Sequence, residues 1–378
     1  MGLLNFTWYY IIVFLFVLTV LIYVHEWGHY WVARRNGVRV EVFSIGFGPE
    51  VFGWTNEMGT RWKIGLIPLG GYVKMFGEDP TTEENSSHDR LTDEELKVSF
   101  NQKSLAQRSS IVAAGPIVNF VFAILIFAAL AMFEGTPKPL AVLGEIIPNT
   151  AASEAGFKNE DRIIAINDKE IMFFSELREI VIANPGKELQ FHILRDEHPI
   201  TLTGVPKFSE YHDNTGIKKT IGVLGVRPSP KHFLYERHNP FMALWIGLNQ
   251  TTTLTLNILS YIGDMITGNK TADDLGGPLR IAQISGEMAK GGLTKLIFLM
   301  AMLSVNLGLI NLFPIPMLDG GHLAFYAVEA IRGKPLSTQA QEYSFRLGLI
   351  LVLVLVIFVT WNDLVHLRVF DIIKDLFT

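Results

Sequence analysis

Residues 8–33 read WYYIIVFLFVLTVLIYVHEWGHYWVA. The run from Trp8 to Val24 is apolar and passes straight into two histidines and a glutamate. About 20 apolar residues in a helix are enough to cross the hydrocarbon of a bilayer. The first 33 residues contain no Lys or Arg. A secretory leader would start basic and end a short apolar core at a small-residue cleavage site. The stretch therefore predicts an uncleaved spanning helix. Ionisable groups at such a depth are costly and mark function.

The rest of the chain agrees with a membrane environment. It has 378 residues, 49% hydrophobic and 18% charged, with a positive mean hydropathy; soluble proteins are nearer a quarter charged. Three further segments approach spanning length: 111–133, 294–313 and 345–361. A fifth, 241–266, carries Phe241, Leu244, Trp245, Leu248, Leu256, Leu259 and Ile262 on one face and Asn249, Gln250, Thr252, Thr253 and Asn257 on the other. That pattern predicts a helix at the interface or packed on the bundle. The net charge of −5 comes with no basic stripe, so a nucleic-acid partner has no electrostatic support. The absence of cysteine excludes disulfides, Cys zinc sites and thiol nucleophiles.

His25-Glu26-Trp27-Gly28-His29 fits H-E-x-x-H. Residues four apart share a helix face, so both imidazoles can reach one zinc at about 2.0–2.1 Å. Glu26 beside them can accept the proton of the attacking water and pass it to the leaving amine. A catalytic zinc needs a third protein ligand. Asp319, in NLFPIPMLDGGH at the end of the third span, is the best candidate. His322 is a weaker rival, and an ordinary helix-end turn with an Asp cap is the bland alternative. Pro314 and Pro316 break the helix, and Gly320 and Gly321 permit a tight turn close to another backbone.

Three motifs in this order, HEWGH, GPIVNF and NLFPIPMLDGGH, resemble the site-2 protease family of M50 intramembrane zinc metalloproteases. The bacterial regulator of sigma-E protease branch is the nearest, and RWKIGLIPLGGYVKM is also similar to it. The resemblance implies Zn2+ held by His25, His29 and Asp319, Glu26 as general base, and Asn311 on the substrate backbone or oxyanion. It implies a membrane-dipping β-hairpin over Arg61–Met75 that holds the substrate, with Ile64, Gly65, Leu66, Pro68, Gly70, Gly71 and Tyr72 as contacts. The residues alone predict two strands, around Val38–Phe47 and Arg61–Met75, the second an edge because of Pro68. Residues 80–101 read as polar, acidic and exposed.

NTAASEAGFKNEDRIIAINDKEI, residues 149–171, resembles a bacterial protease PDZ domain. It departs from the usual Gly-Asp at Glu160-Asp161. Strands are expected at Ala141–Ile147, Arg162–Ile166, Glu188–Leu194 and Ile200–Leu202, with a helix near Phe174–Ala183. Such a domain either recruits peptides by strand addition or excludes bulky substrates.

The expected fold is a polytopic α-helical membrane protein with four spans, a membrane-associated β-hairpin and an inserted PDZ-like α+β domain. Its expected parts are 1–33, the first span with HExxH; 34–107, the hairpin loop; 108–133, the second span; and 134–228, the PDZ-like domain. Then follow 229–290, an amphipathic helix and connection; 291–322, the third span with the LDG motif; 323–343, a connection; and 344–378, the fourth span and tail. Arg34, Arg35, Arg39, Arg332, Lys334 and Arg346 place the loops after spans one and three in the cytoplasm. The active site then faces the cytoplasmic side and the PDZ-like domain the periplasm of a bacterial inner membrane. The resemblance implies single-span anti-sigma factors or remnant signal peptides as substrates, cut in regulated intramembrane proteolysis. The alternatives are a catalytically inactive PDZ membrane scaffold and a metal transporter.

Overall fold

The computed structural model describes residues 3–78, 92–212, 218–271 and 276–366. Most of the predicted acidic stretch 80–101 and the tail 367–378 lie outside the described residues. Two compact units emerge: Met1–Leu130 together with Pro240–Thr378, and Ala131–Asn239 between them in sequence.

The first unit starts with α1 (Leu3–Arg35), β1 (Val40–Thr55), β2 (Arg61–Met75), the short α2 (Asp93–Val98) and α3 (Leu105–Phe133). HEWGH stays helical inside α1. The two strands bend, so residues 40–45 of β1 lie between residues 71–75 and 61–64 of β2. Phe43 faces both Val73 and Trp62, and Ile45 both Gly71 and Ile64. The same segment continues into a core of Ala33, Val38, Val40, Phe43, Val73, Met75, Phe100, Ile111 and Val112.

The second unit holds β3 (Thr136–Pro139), β4 (Leu143–Ile146), α4 (Ala151–Glu154), β5 (Arg162–Ile166), β6 (Lys169–Glu170), α5 (Phe174–Ala183), β7 (Leu189–Arg195) and β8 (His198–Gly204). β9 (Lys207–His212), β10 (Lys218–Val223), β11 (Val226–Pro228) and β12 (Phe233–Glu236) complete it. A four-stranded sheet runs β6-β5-β7-β8. β12 pairs with β3 through Phe233↔Pro139 and Glu236↔Thr136, so the unit continues past the expected end at 228, to Asn239. Glu160 has φ 67°, the left-handed region where glycine is at home. Its carboxylate accepts from His232 Nε2 at 2.9 Å and from Ser229 Oγ at 3.3 Å.

The chain returns to the first unit with α6 (Pro240–Ile266), α7 (Pro278–Lys290), α8 (Leu293–Leu312), α9 (Asp319–Arg332) and α10 (Thr338–His366). Among the described residues, four helices are long and apolar enough to cross a membrane: Trp8–Arg35 of α1, α3, α8 and Thr338–Val365 of α10. The α6 helix is packed on the bundle, with Leu254 and Ile258 against Ala123, Phe127, Ala301 and Val305. Where helices touch, small residues allow it: a side chain on Gly247 would strike the Ile124 carbonyl, and one on Gly286 the Tyr10 ring. Close backbone approach of this kind is how helices associate in lipid.

Two expected connections are helices. Residues 323–343 contain most of α9 and the start of α10, and 229–290 contain α7. In α7 the buried residues are Ser285 and Gly286. Its N-terminus is capped from afar: Asp363 accepts from the N–H groups of Gly277 at 2.7 Å, Leu279 at 3.0 Å and Arg280 at 3.1 Å. A carboxylate there satisfies donors that no turn of helix can.

Candidate metal centre

His25, Glu26 and His29 are 8, 9 and 8% exposed. The helix turn between the histidines brings their rings to a centroid separation of 4.8 Å at 81°. Asp319 reaches them from the far end of the chain. α8 stops at Leu312, and Phe313, before Pro314, is extended at φ −64°, ψ 142°, as a residue before proline should be. The chain turns through Ile315 and Met317 (φ 92°), and Asp319 opens α9 without acting as its cap. The turn is therefore made by Met317. Gly320 and Gly321 serve the close approach instead: a side chain on Gly321 would meet the Ile315 carbonyl, and one on Gly320 the carbonyls of Leu312 and Phe313.

His25 Nε2 and His29 Nε2 are 3.2 Å apart. Asp319 Oδ2 lies 3.2 Å from the first and 3.5 Å from the second. Ligands at about 2.0–2.1 Å from a tetrahedral zinc stand about 3.3 Å from one another, so this triangle matches one face of a zinc tetrahedron. Asp319 Oδ2 is buried and accepts no hydrogen bond of good geometry, an orphan that a cation would satisfy. The two nitrogens and one oxygen suit zinc. His322 lies outside this cluster and lines the cavity beside it.

The α3 helix shapes the centre from behind. His29 Nδ1 donates to the Ile111 carbonyl at 2.9 Å, which leaves Nε2 with its lone pair toward Asp319. A Cβ on Gly115 would fall on His29 and within 2.8 Å of His25 Cε1. A Cβ on Gly28 would be 2.6 Å from the Ala114 carbonyl. Sequence reading passed over both glycines as requirements of the centre, although each sits inside a quoted motif.

The donor triangle opens on a cavity of about 860 Å³ lined by Glu26, Gly70, Gly71, Tyr72, Asn311 and His322 among others. Of the expected substrate contacts, Gly70, Gly71, Tyr72 and Asn311 therefore meet the centre. Ile64, Gly65, Leu66 and Pro68 do not line it. Ile64 and Leu66 are exposed, and Gly65 packs on the Phe47 carbonyl. Glu26 lies against the hairpin: a Cβ on Gly71 would sit 3.0 Å from Glu26 Cγ. Residues 71–75 pair with 40–45 on one side, and no other described strand pairs with them.

Comparison with known proteins places these features in a family. The pattern of Peptidase family M50 matches residues 13–355. Atu1380 of Agrobacterium fabrum, named as a candidate zinc metalloprotease, is 44% identical over 94% of this chain and 95% of its own. Metalloprotease MmpA of Caulobacter vibrioides is 35% identical over 96% and 97%. Regulator of sigma-E protease RseP of Escherichia coli is 32% identical over 93% and 97%.

Proposed function

The chain belongs to peptidase family M50, and from that premise we propose that this zinc metalloprotease hydrolyses peptide bonds in or near the transmembrane segments of single-span membrane proteins. The observation that carries the reading is the place of the donors. His25, Glu26 and His29 lie within a helix apolar enough to span a bilayer, and the third donor follows another such helix. A substrate meeting them there is itself at membrane depth.

His25, His29 and Asp319 would hold the zinc, which would supply Lewis-acid chemistry at the scissile carbonyl and acidify the attacking water. Glu26 takes the proton of that water and returns it to the departing amine nitrogen, which leaves as a neutral amine. Asn311, on the same cavity, donates its amide N–H to the oxygen on which negative charge grows. The substrate enters extended. Its helix loses internal hydrogen bonds, and pairing with the edge at residues 70–75 replaces them. The exposed Val51, Phe52, Trp54, Leu66 and Leu69 of the hairpin enter the bilayer.

The arrangement is polytopic, with the loop 34–107 toward the cytoplasm and the unit Ala131–Asn239, a PDZ-like domain, in the periplasm of a bacterial inner membrane. The left-handed Glu160 supports the PDZ reading, since it occupies the place that glycine holds in such domains. The substrate class is the anti-sigma factor or remnant signal peptide type, and the process is regulated intramembrane proteolysis. In that process the PDZ-like domain recruits substrates or excludes those with bulky outer domains.

Co-expression with a model single-span substrate, in outer-trimmed and untrimmed forms, tests this. The trimmed form is cut by the wild type, and Glu26→Gln cuts at least about 100-fold more slowly while keeping its zinc. Undiminished cleavage by Glu26→Gln overturns the role of Glu26. A cut confined to the soluble part of the substrate overturns the membrane-depth reading.

A further inference from the structure

The imidazole of His29 is oriented by the Ile111 carbonyl, and the equivalent partner of His25 is less obvious. His25 Nδ1 lies 3.0 Å from Nδ2 of Asn119, in the GPIVNF segment of α3. Asn119 is fully buried, and its Oδ1 has no hydrogen-bond partner. Its backbone carbonyl is held separately by Ser304 Oγ at 2.8 Å, and α8 packs close to it at Gly308, where an added side chain's Cβ would stand 3.2 Å from the Asn119 Cβ. The side chain is thus fixed in place beside His25 with a bare acceptor.

The chemistry of the donor triangle settles which end of the amide belongs against His25. A neutral imidazole has one N–H and one lone pair. With Nε2 turned to the metal face, the proton of His25 sits on Nδ1, and an N–H there needs an acceptor. The amide NH2 is a donor only; Oδ1 is an acceptor. The two ends are nearly isosteric, so a half-turn about the Cβ–Cγ bond exchanges them without a change of volume.

We infer that Asn119 is a positioning residue for the metal centre: its Oδ1 accepts from His25 Nδ1–H and so fixes the tautomer and ring angle that aim Nε2 at zinc. α3 then orients both histidines, one through a backbone carbonyl and one through a side-chain amide. Groups of this kind around a metal are generally worth 10–100-fold in affinity. The inference rests on His25 being a zinc ligand.

Zinc affinity of the purified full-length protein, measured by competition with a chelator, tests it. Asn119→Leu keeps shape and removes both polar ends; Asn119→Asp keeps acceptors and removes the donor. Zinc binding is expected to weaken about 10–100-fold in Asn119→Leu and to stay at or above wild type in Asn119→Asp. Weak binding by Asn119→Asp, in a protein whose metal-free unfolding matches wild type, overturns the inference, because it means that His25 needs a donor. Wild-type affinity in Asn119→Leu overturns it too. If Asn119→Leu does not fold, Asn119→Asp alone decides between donor and acceptor. His25→Ala separates the two levels: zinc retained there defeats the ligand assignment itself, whereas zinc lost there but kept in Asn119→Leu defeats only the role of Asn119.

Discussion

In the unit Ala131–Asn239 the buried cluster runs through Leu143, Ile163, Ile166, Leu177, Phe191, Ile193 and Leu224, and charges sit outside, as in Arg227–Glu145 at 2.9 Å. In the other unit the exposed positions of α10 include Leu347, Ile350, Leu353, Val354 and Ile357, and only 6% of its 18-residue apolar stretch is buried. Its interior holds His25, Glu26, His29, Asn119 and Ser304. One unit hides apolar groups from water. The other buries apolar clusters too, but it also turns apolar groups outward and keeps several polar groups inside. The contrast teaches that a buried polar residue means different things in the two places. Asp161, 1% exposed, has its oxygens taken by Arg195 Nε and Nη2, both at 2.8 Å, and by Lys158 N at 2.7 Å. Asp319 Oδ2 has no such donor. The first is a satisfied strut, the second a candidate ligand.

Gly115→Ala should break the bundle side of this comparison most completely. The new methyl falls on both imidazoles, so zinc content and proteolysis are expected to drop below detection while the helices stay folded by circular dichroism. Asp161→Ala should do the reverse. It removes the buried acceptor of Arg195 Nε and of the Lys158 N–H and is expected to destabilise the inserted unit by about 1–3 kcal/mol, seen as faster hydrogen exchange across residues 131–239 in the intact protein, with zinc content unchanged. The smallest effect belongs to Glu160. Its hydrogen bond from His232, with a second from Ser229, holds its carboxyl below the ordinary value of 4.5. A depressed pKa means that the contribution is whole above that ordinary value and fades as pH falls through the lower, folded one. Exchange protection of residues 131–239 should weaken slightly below about pH 4.5 in wild type and less in Glu160→Gln.

Local chemistry explains what the sequence disclosed. HEWGH offers two candidate ligands and a candidate base because helix periodicity alone puts His25 and His29 together. Pro314, Pro316 and Asp319 mark a broken helix end, and the strand around Arg61–Met75 and the helix near Phe174–Ala183 were legible in type and place. What stayed hidden depends on contacts between distant segments. Nothing near Gly115 says that a histidine ring occupies the space of its missing side chain. Nothing near Asp363 says that it caps α7, 83 or more residues away. The apolar tip of the hairpin and its cavity-lining end read alike as a β-rich stretch, because the bend that sends Gly70–Tyr72 to Glu26 and Ile64–Leu66 elsewhere is a matter of pairing register.

The central claim is that one centre is assembled from α1 and the start of α9. Metal analysis of purified Asp319→Ala tests it most directly, beside wild type and His25→Ala. About one zinc per chain in wild type, lost alike in both variants, is the predicted result. Full zinc retained in Asp319→Ala would contradict it.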